Sequence, residues 1–370
     1  NTFWLVPCSA KNLPIGASAY SSGVGGILFS TAGATVFTST TFATTANPDM
    51  SVNGLFSYRS GPDGSHRDAD SSNGFLFQEA ELRFAANIDA YFRGDFILAV
   101  EKEDGEFIVE PEEAFVETLS LTDLTVRLGK FYAFWGRHNQ LHTHAFPFVD
   151  APLTSSVILG EEGLNDLGIS LAYLLPAPWY MEIVLQAFSA ENVGLFDSES
   201  QNDVAGIYFL KNLWDLSGDS TLELDLSYGN GRNVNLEPNH IYNVTLSYKW
   251  RPVVKYIYHS FSWNTEFTRA EKLVDETGTN LGRTIALSTW VQYQMAQRWW
   301  IQARLESVEL QDLAIDSLNK YSALVGFIPT EYSGLRLQYD SIDDPNAAEK
   351  EQRVTLQLNV SMGVHPAHSY

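Results

Sequence analysis

The sequence predicts an all-β transmembrane barrel of about sixteen antiparallel strands, and three observations carry that prediction. Apolar and polar residues alternate with a period of two along almost the whole chain, short and long connections follow one another in order, and aromatic residues gather at segment ends. Composition sets the frame. The 370 residues carry Asp+Glu 45 against Lys+Arg 23, a formal net charge of -22 and one cysteine. Without a basic patch, this charge excludes nucleic acid as a partner, because phosphate neutralisation needs clustered Lys and Arg. Cys8 alone forms no internal disulfide, and no Cys/His pattern of zinc-finger type occurs. No run of about eighteen apolar residues is present, so a membrane helix is not expected. No basic and Leu-rich leader opens the chain, which reads as mature or renumbered.

Taken in order, the alternating segments begin near Ser51, Gly74, Ala90, Ala114, Leu124, Leu167, Trp179, Val204, Thr221, Tyr242, Tyr256, Arg283, Trp299, Lys320, Gly334 and Arg353. Each is near the length of about 9–11 residues that a tilted membrane strand needs. The last is the plainest: Val354, Leu356, Leu358, Val360 and Met362 share one face, opposite Arg353, Thr355, Gln357, Asn359 and Ser361. The segment at Ala114 is the least regular. A soluble β-protein would bury such apolar faces, whereas a membrane barrel turns them to lipid and lines a wet lumen with the polar ones. The polar faces carry Glu79, Glu81, Arg83, Arg93, Asp95, Arg127, Lys249, Glu266, Arg304, Glu306, Arg336 and Arg353, which are the expected lumen lining.

The connections decide between the two readings. Tight links at 87–89, 121–123, 176–178, 251–252, 296–298 and 329–331 alternate with long polar ones at 59–73, 101–113, 136–166, 190–203, 229–240, 269–281, 309–319 and 341–352. Short periplasmic turns and longer outer loops are the mark of bacterial outer-membrane barrels. Trp179, Tyr180, Trp214, Trp250, Tyr256, Trp299, Trp300 and Tyr332 stand at segment ends, where rings with one polar edge suit the headgroup region. Closure leaves no exposed sheet edge. The expected location is the outer membrane of a Gram-negative bacterium, with lipid bilayer and lipopolysaccharide as surroundings.

The run Leu128-Gly129-Lys130-Phe131-Tyr132-Ala133-Phe134-Trp135-Gly136 resembles the Gly-Lys/Gln-Phe…Phe-Gly strand of the phosphate-selective porin O and P-like family. The stretch from Asn47 to Asn192, with Pro147-Phe148-Val149-Asp150 and Gly160-Glu161-Glu162-Gly163-Leu164-Asn165-Asp166, and the tail from Gly363 to Tyr370 are similar to a poorly characterised branch of that family. The resemblance implies a sixteen-stranded diffusion channel, general or anion-preferring and commonly trimeric. Phosphate-selective members line the pore with Arg and Lys, whereas the expected lumen here mixes bases with a comparable number of acids. Weak selectivity with a slight cation preference follows for this chain.

The longest connection, 136–166, is the third outer loop, and it is too apolar to sit in water, as Ala145-Phe146-Pro147-Phe148 illustrates. It is expected to fold into the barrel as a pore constriction, with Arg137, His138, His142, His144, Asp150, Glu161, Glu162 and Asp166 setting the local field. The alternative is an outer lid packed on a neighbouring loop. His138, His142 and His144 are candidate ligands for a transition metal, since imidazole suits zinc, copper and nickel, although a loop histidine often only hydrogen-bonds to backbone. The acidic loop from Glu101 to Glu113 is a candidate divalent-cation site against the simpler reading of a solvated acidic loop. No cofactor is otherwise expected.

No Gly-x-Ser-x-Gly elbow, Walker-type phosphate loop or His-Glu-x-x-His motif occurs, and no Ser–His pair stands out, so an enzyme is not expected. Residues 1–46 contain no Asp or Glu and form a separate extension before the barrel of residues 47–370. That extension is a periplasmic arm, a lumen insert or a docking segment for an envelope protein. The function this reading favours is a passive porin for small hydrophilic solutes and ions. The runner-up is a non-conducting structural or binding barrel within a larger envelope complex. A homotrimer is expected, with strands of residues 50–130 at its interface, because small residues such as Ala114, Thr118 and Ala205 permit close packing.

Overall fold

A computed structural model describes residues 48–363 apart from 62–72, 104, 161, 193–194, 199–202, 255, 257, 275–277, 312–316, 346 and 348. The expected extension 1–46, Cys8, Glu161, His365 and His368 therefore lie outside the described residues. Sixteen strands close into one antiparallel barrel. In chain order they are β1 (Asp49–Ser60), β2 (Gly74–Asn87), β3 (Phe92–Glu103), β4 (Glu106–Thr118), β5 (Leu124–Tyr132), β6 (Asn165–Leu174), β7 (Tyr180–Phe188), β10 (Ala205–Ser217), β11 (Ser220–Arg232), β12 (Pro238–Trp250), β13 (Ser260–Val274), β14 (Asn280–Ala296), β15 (Trp299–Leu310), β16 (Leu318–Thr330), β17 (Ser333–Asp343) and β18 (Glu351–Gly363). Two-residue strands β8 (Glu191–Asn192) and β9 (Phe196–Asp197) pair with each other between β7 and β10. One helix, α1 (Leu153–Leu159), lies in the connection from β5 to β6. Each strand of the ring bonds to its chain neighbours, and β1 pairs with β18 from Ser51 opposite Gly363 to Ser60 opposite Val354, which closes it.

The barrel is inside out relative to a soluble fold. On β18, Gln357 is 0% exposed while its neighbours Leu356 and Leu358 are 41% and 42% exposed. The same inversion holds on β16, where Lys320 and Ser322 are buried and Tyr321 and Val325 exposed. With a period of two, one face of each strand must look inward and the other outward, so the polar face is the inner one. Aromatic pairs lie toward the short-turn end: Trp179 with Trp214 at 6.2 Å and Trp299 with Phe327 at 4.8 Å between ring centroids.

All sixteen expected segments coincide with strands, but three details differ. Residues 101–113 are not a long acidic loop: β3 runs to Glu103, β4 starts at Glu106, and the two pair up to Glu103 opposite Glu106. The acidic run masks a strand whose exposed Phe107 and Val109 alternate with Glu106, Ile108 and Glu110. A register shift at Ile97/Leu98 inserts one extra residue on β4, so Glu112 and Glu113 are both buried. The link between β12 and β13 is longer than expected, since β13 begins only at Ser260. Ala205, expected on an outward face, is 2% exposed and packs in an apolar cluster with Ile207, Phe196 and Leu195.

Candidate functional site

The segment 133–164 between β5 and β6 is where the chemistry concentrates. Its entry depends on two glycines of the run that begins at Leu128. Gly129 has φ +140, and a Cβ there would stand 2.1 Å from the Ala114 carbonyl oxygen of β4. Gly136 has φ +53, and its Cβ would stand 2.5 Å from Glu266 Oε1 of β13. Only glycine admits both the left-handed backbone and this close approach. At Gly136 the chain leaves the wall beside β5 and reaches β11 and β13: the Gly136 N–H donates to Ser227 Oγ at 3.3 Å and the Arg137 guanidinium to Glu223 at 3.3 Å.

Further along, the segment is tied to strands around the ring. Asn359 donates to the His144 carbonyl at 2.9 Å, Arg336 to that of Phe146 at 2.5 Å and Gln78 to that of Val149 at 3.1 Å. Asp150 is the densest anchor. It accepts from Arg304 Nη2 at 2.8 Å and Gln338 Nε2 at 2.7 Å, and it pairs with Lys320. Burial opposes ionisation of Asp150, but the charges of Arg304 and Lys320 hold its carboxyl well below the usual range. The Leu153 N–H donates to Glu306 Oε1 at 2.7 Å at the start of α1. The buried α1 residues Ile158 and Leu159 join Trp135, Leu164, Leu273 and Val308 in an apolar cluster.

The expected site residues divide into separate groups. Arg304, Glu306, Arg336, Arg353 and Asp150 belong to the anchored side, where Arg353 Nε lies 4.0 Å from Asp340. Arg137, Glu266 and Lys249 belong to β11–β13 and the start of the segment, with Glu223 as the shared acid of Arg137 and Lys211. Glu81, Arg83, Asp95 and Arg127 line a cavity of about 310 Å³ together with Gln140, His142 and His144. Arg83 Nε donates to Asp95 at 2.8 Å, Arg93 lies 3.5 Å from the same carboxylate, and Arg127 donates to Glu117 at 3.0 Å while covering the Phe115 ring at 4.1 Å. Glu162 is exposed. Asp166 is a fastening residue on β6: it accepts from the hydroxyl of Ser189 at 2.5 Å and the Glu191 N–H at 2.9 Å.

The three histidines are not one group. His138 stacks against Phe146 at 4.3 Å, and burial together with the Arg304 charge pushes its imidazole down. His142 and His144 stand instead against β2 and β4. His142 Nδ1 is 3.0 Å from Glu112 Oε2 and 3.3 Å from Glu81 Oε2, and His142 Nε2 is 3.0 Å from Glu113 Oε2. His144 Nδ1 is 2.9 Å from Glu81 Oε2. Burial alone would lower the His142 imidazole, yet its bonds to Glu112 and Glu113, with the Glu81 charge, lift it well above its ordinary value. Sequence reasoning places Glu112 and Glu113 in an acidic outer loop as a candidate divalent-cation site, apart from the histidines, and misses Tyr132 here and Lys320 and Gln338 at the anchor. Lys320 and Gln338 were visible as polar-face positions. Glu112 was not, because a bulge breaks the alternation that would have placed it.

No family model matches the chain. An uncharacterized protein of Aquifex aeolicus (strain VF5) is 27% identical over 344 residues, covering 82% of this chain and 72% of that one. Among solved structures, the outer membrane channel DcaP of Acinetobacter baumannii is similar with a TM-score of 0.57 and 12% identity, over 85% of this chain and 96% of that chain. The trimer form of OmpT, an outer membrane protein of Vibrio cholerae, is similar with a TM-score of 0.54 and 8% identity, over 85% and 98%. At these identities, the likeness to the solved structures is one of fold.

Proposed function

We propose that this chain is a porin of a Gram-negative outer membrane, through which small hydrophilic solutes and ions diffuse passively. One observation carries the reading: an inside-out barrel holds segment 133–164 by bonds to many strands, and a polar cavity of about 310 Å³ remains beside β1–β5. A barrel of this strand number encloses water, so a segment drawn inward narrows a channel. In this reading the passage runs between His142 and the wall that carries Arg83, Asp95 and Arg127. The fold likeness to a protein named as an outer membrane channel supports it, as does the resemblance of 128–136 to the phosphate-selective porin O and P-like family. Reconstitution in planar bilayers gives ohmic single-channel steps on this account, and a folded barrel that never conducts would sink it.

A second reading, a non-conducting barrel in an envelope complex, draws on the apolar cluster around α1, which fills part of the interior. The same bilayer experiment separates the two. The porin is a homotrimer in our reading, with its outer loops facing lipopolysaccharide. The fold likeness to the trimer form of OmpT supports this reading. Cross-linking in mild detergent should trap a three-subunit band; a monomer in native membranes, or an interface through β15, contradicts the assignment.

A further inference from the structure

The cluster where the segment meets β2 and β4 gathers buried carboxylates around two imidazoles with metal-ligand spacing. Glu79 and Glu81 on β2 are 3% and 1% exposed, and Glu112 on β4 is 8% exposed. Glu81 Oε2, Glu112 Oε2, His142 Nδ1 and His144 Nδ1 are buried and converge on one another at 2.9 to 3.3 Å. One ligand atom each from Glu81, Glu112 and His142 falls within 4.8 Å of the others, and the same holds for Glu79, Glu81 and His144. Separations of 3.0 and 3.3 Å from His142 Nδ1 to the two carboxylates are close to the roughly 3.4 Å between neighbouring ligands of a tetrahedral ion bound at about 2.0–2.2 Å.

The surroundings orient these atoms. The Tyr132 hydroxyl donates to Glu112 Oε1 at 2.6 Å, which leaves Oε2 aimed at the cluster. The Tyr132 N–H donates to Glu113 Oε1 at 3.1 Å, so Glu113 Oε2 is positioned at His142 Nε2. A carboxylate that accepts from one imidazole nitrogen and leaves the other for a metal is a recurrent supporting arrangement. Four carboxylates around two imidazoles also leave an excess of negative charge that a divalent ion offsets. Imidazole among the donors favours a first-row transition metal over calcium or magnesium.

We propose that Glu81, Glu112 and His142 hold one divalent transition-metal ion, and that the ion fastens the segment to β2 and β4. The site uses His142 of the three histidines nominated from sequence and excludes His138. It stands whether or not the barrel conducts, because stoichiometry is read without current.

The test is zinc binding to the full chain in detergent after chelator treatment, followed by titration and elemental analysis. About one zinc per chain is expected at micromolar zinc. Glu81→Gln and His142→Asn should each weaken binding by about 100-fold or more, Glu113→Gln by about 10- to 100-fold, and His240→Asn not at all. Absence of zinc uptake, or uptake unchanged in Glu81→Gln and His142→Asn, overturns the proposal. Heat-shifted gel mobility reports whether each variant is folded. Zinc-edge absorption on the unsubstituted protein gives an answer even if variants fail to fold: imidazole scattering with mixed N/O ligands supports the site, and an all-oxygen hydrated shell overturns it.

Discussion

Asp150 shows how much can rest on one side chain of segment 133–164. Arg304 and Lys320, with side chains 1% and 3% exposed, both pair with its carboxylate. Asp150→Asn keeps the shape but removes the charge that two buried cations share. Removing one partner of a buried pair costs about 3–5 kcal/mol; the lower figure applies because Asp150 is 24% exposed and Arg304 retains Glu306 at 2.9 Å. At about 1.4 kcal/mol per tenfold, amide exchange in 146–159 should quicken by about 100-fold. The pH dependence has a definite sign. A carboxyl held below its ordinary 3.8 contributes attachment that is present above that value and lost as pH falls through the lowered one. His138, whose imidazole is pushed down in the closed segment, gains a proton on opening, so opening corrected for intrinsic exchange should increase below about pH 6.5 and steepen below about pH 4 as Asp150 is titrated. A steepening below about pH 4 that persists unchanged in Asp150→Asn would show that Asp150 is not the anchor.

At the scale of elements, β4 and β5 form the barrel's weakest seam, paired only from Ala114 opposite Lys130 to Glu117 opposite Arg127. Gly129 lies in that seam. Gly129→Ala brings a Cβ 2.1 Å from the Ala114 carbonyl at φ +140, so β4 and β5 must separate locally. Backbone strain of this kind costs about 1–3 kcal/mol. The variant should unfold at lower denaturant concentration in detergent and lose heat-resistant gel mobility; behaviour matching the parent contradicts the assigned role. The same elements show what was legible in the sequence. The period of two located all sixteen strands because the polar inner face and the apolar outer face of the closed barrel alternate along the strands. It failed at 101–113, where a charged run conceals the strand and the extra residue at Glu112 turns two successive carboxylates inward. The histidines were recognisable as chemistry, but their partners come from β2 and β4, which no local spacing reveals. Expecting Ala205 on the outer face failed because it shares the buried inner face of β10 with the apolar Ile207 and Phe209, and it packs with Ile207 in the apolar cluster.

For the molecule as a whole, charge is divided between two walls. The bases Arg304, Lys320 and Arg336 are engaged by Asp150, Glu306, the Phe146 carbonyl and Gln357. Beside the cavity, Glu81, Asp95, Glu112, Glu113 and Glu117 face Arg83, Arg93, Arg127 and the His142 imidazole, so acids prevail slightly. Reversal potentials in a salt gradient should indicate a modest cation preference at low ionic strength that fades as the Debye length falls from about 30 Å at 0.01 M to about 3 Å at 1 M. Strong anion preference would place the current along another route.

The most direct test of the central claim places a thiol in the proposed passage and records current. In a Cys8→Ser background, Gln140→Cys lines the cavity, whereas Ser155→Cys lies buried in α1. A charged thiol reagent should reduce the single-channel current of Gln140→Cys in discrete steps and leave that of Ser155→Cys unchanged. Current unaffected at Gln140→Cys, despite complete labelling, would contradict a passage between segment 133–164 and the β1–β5 wall.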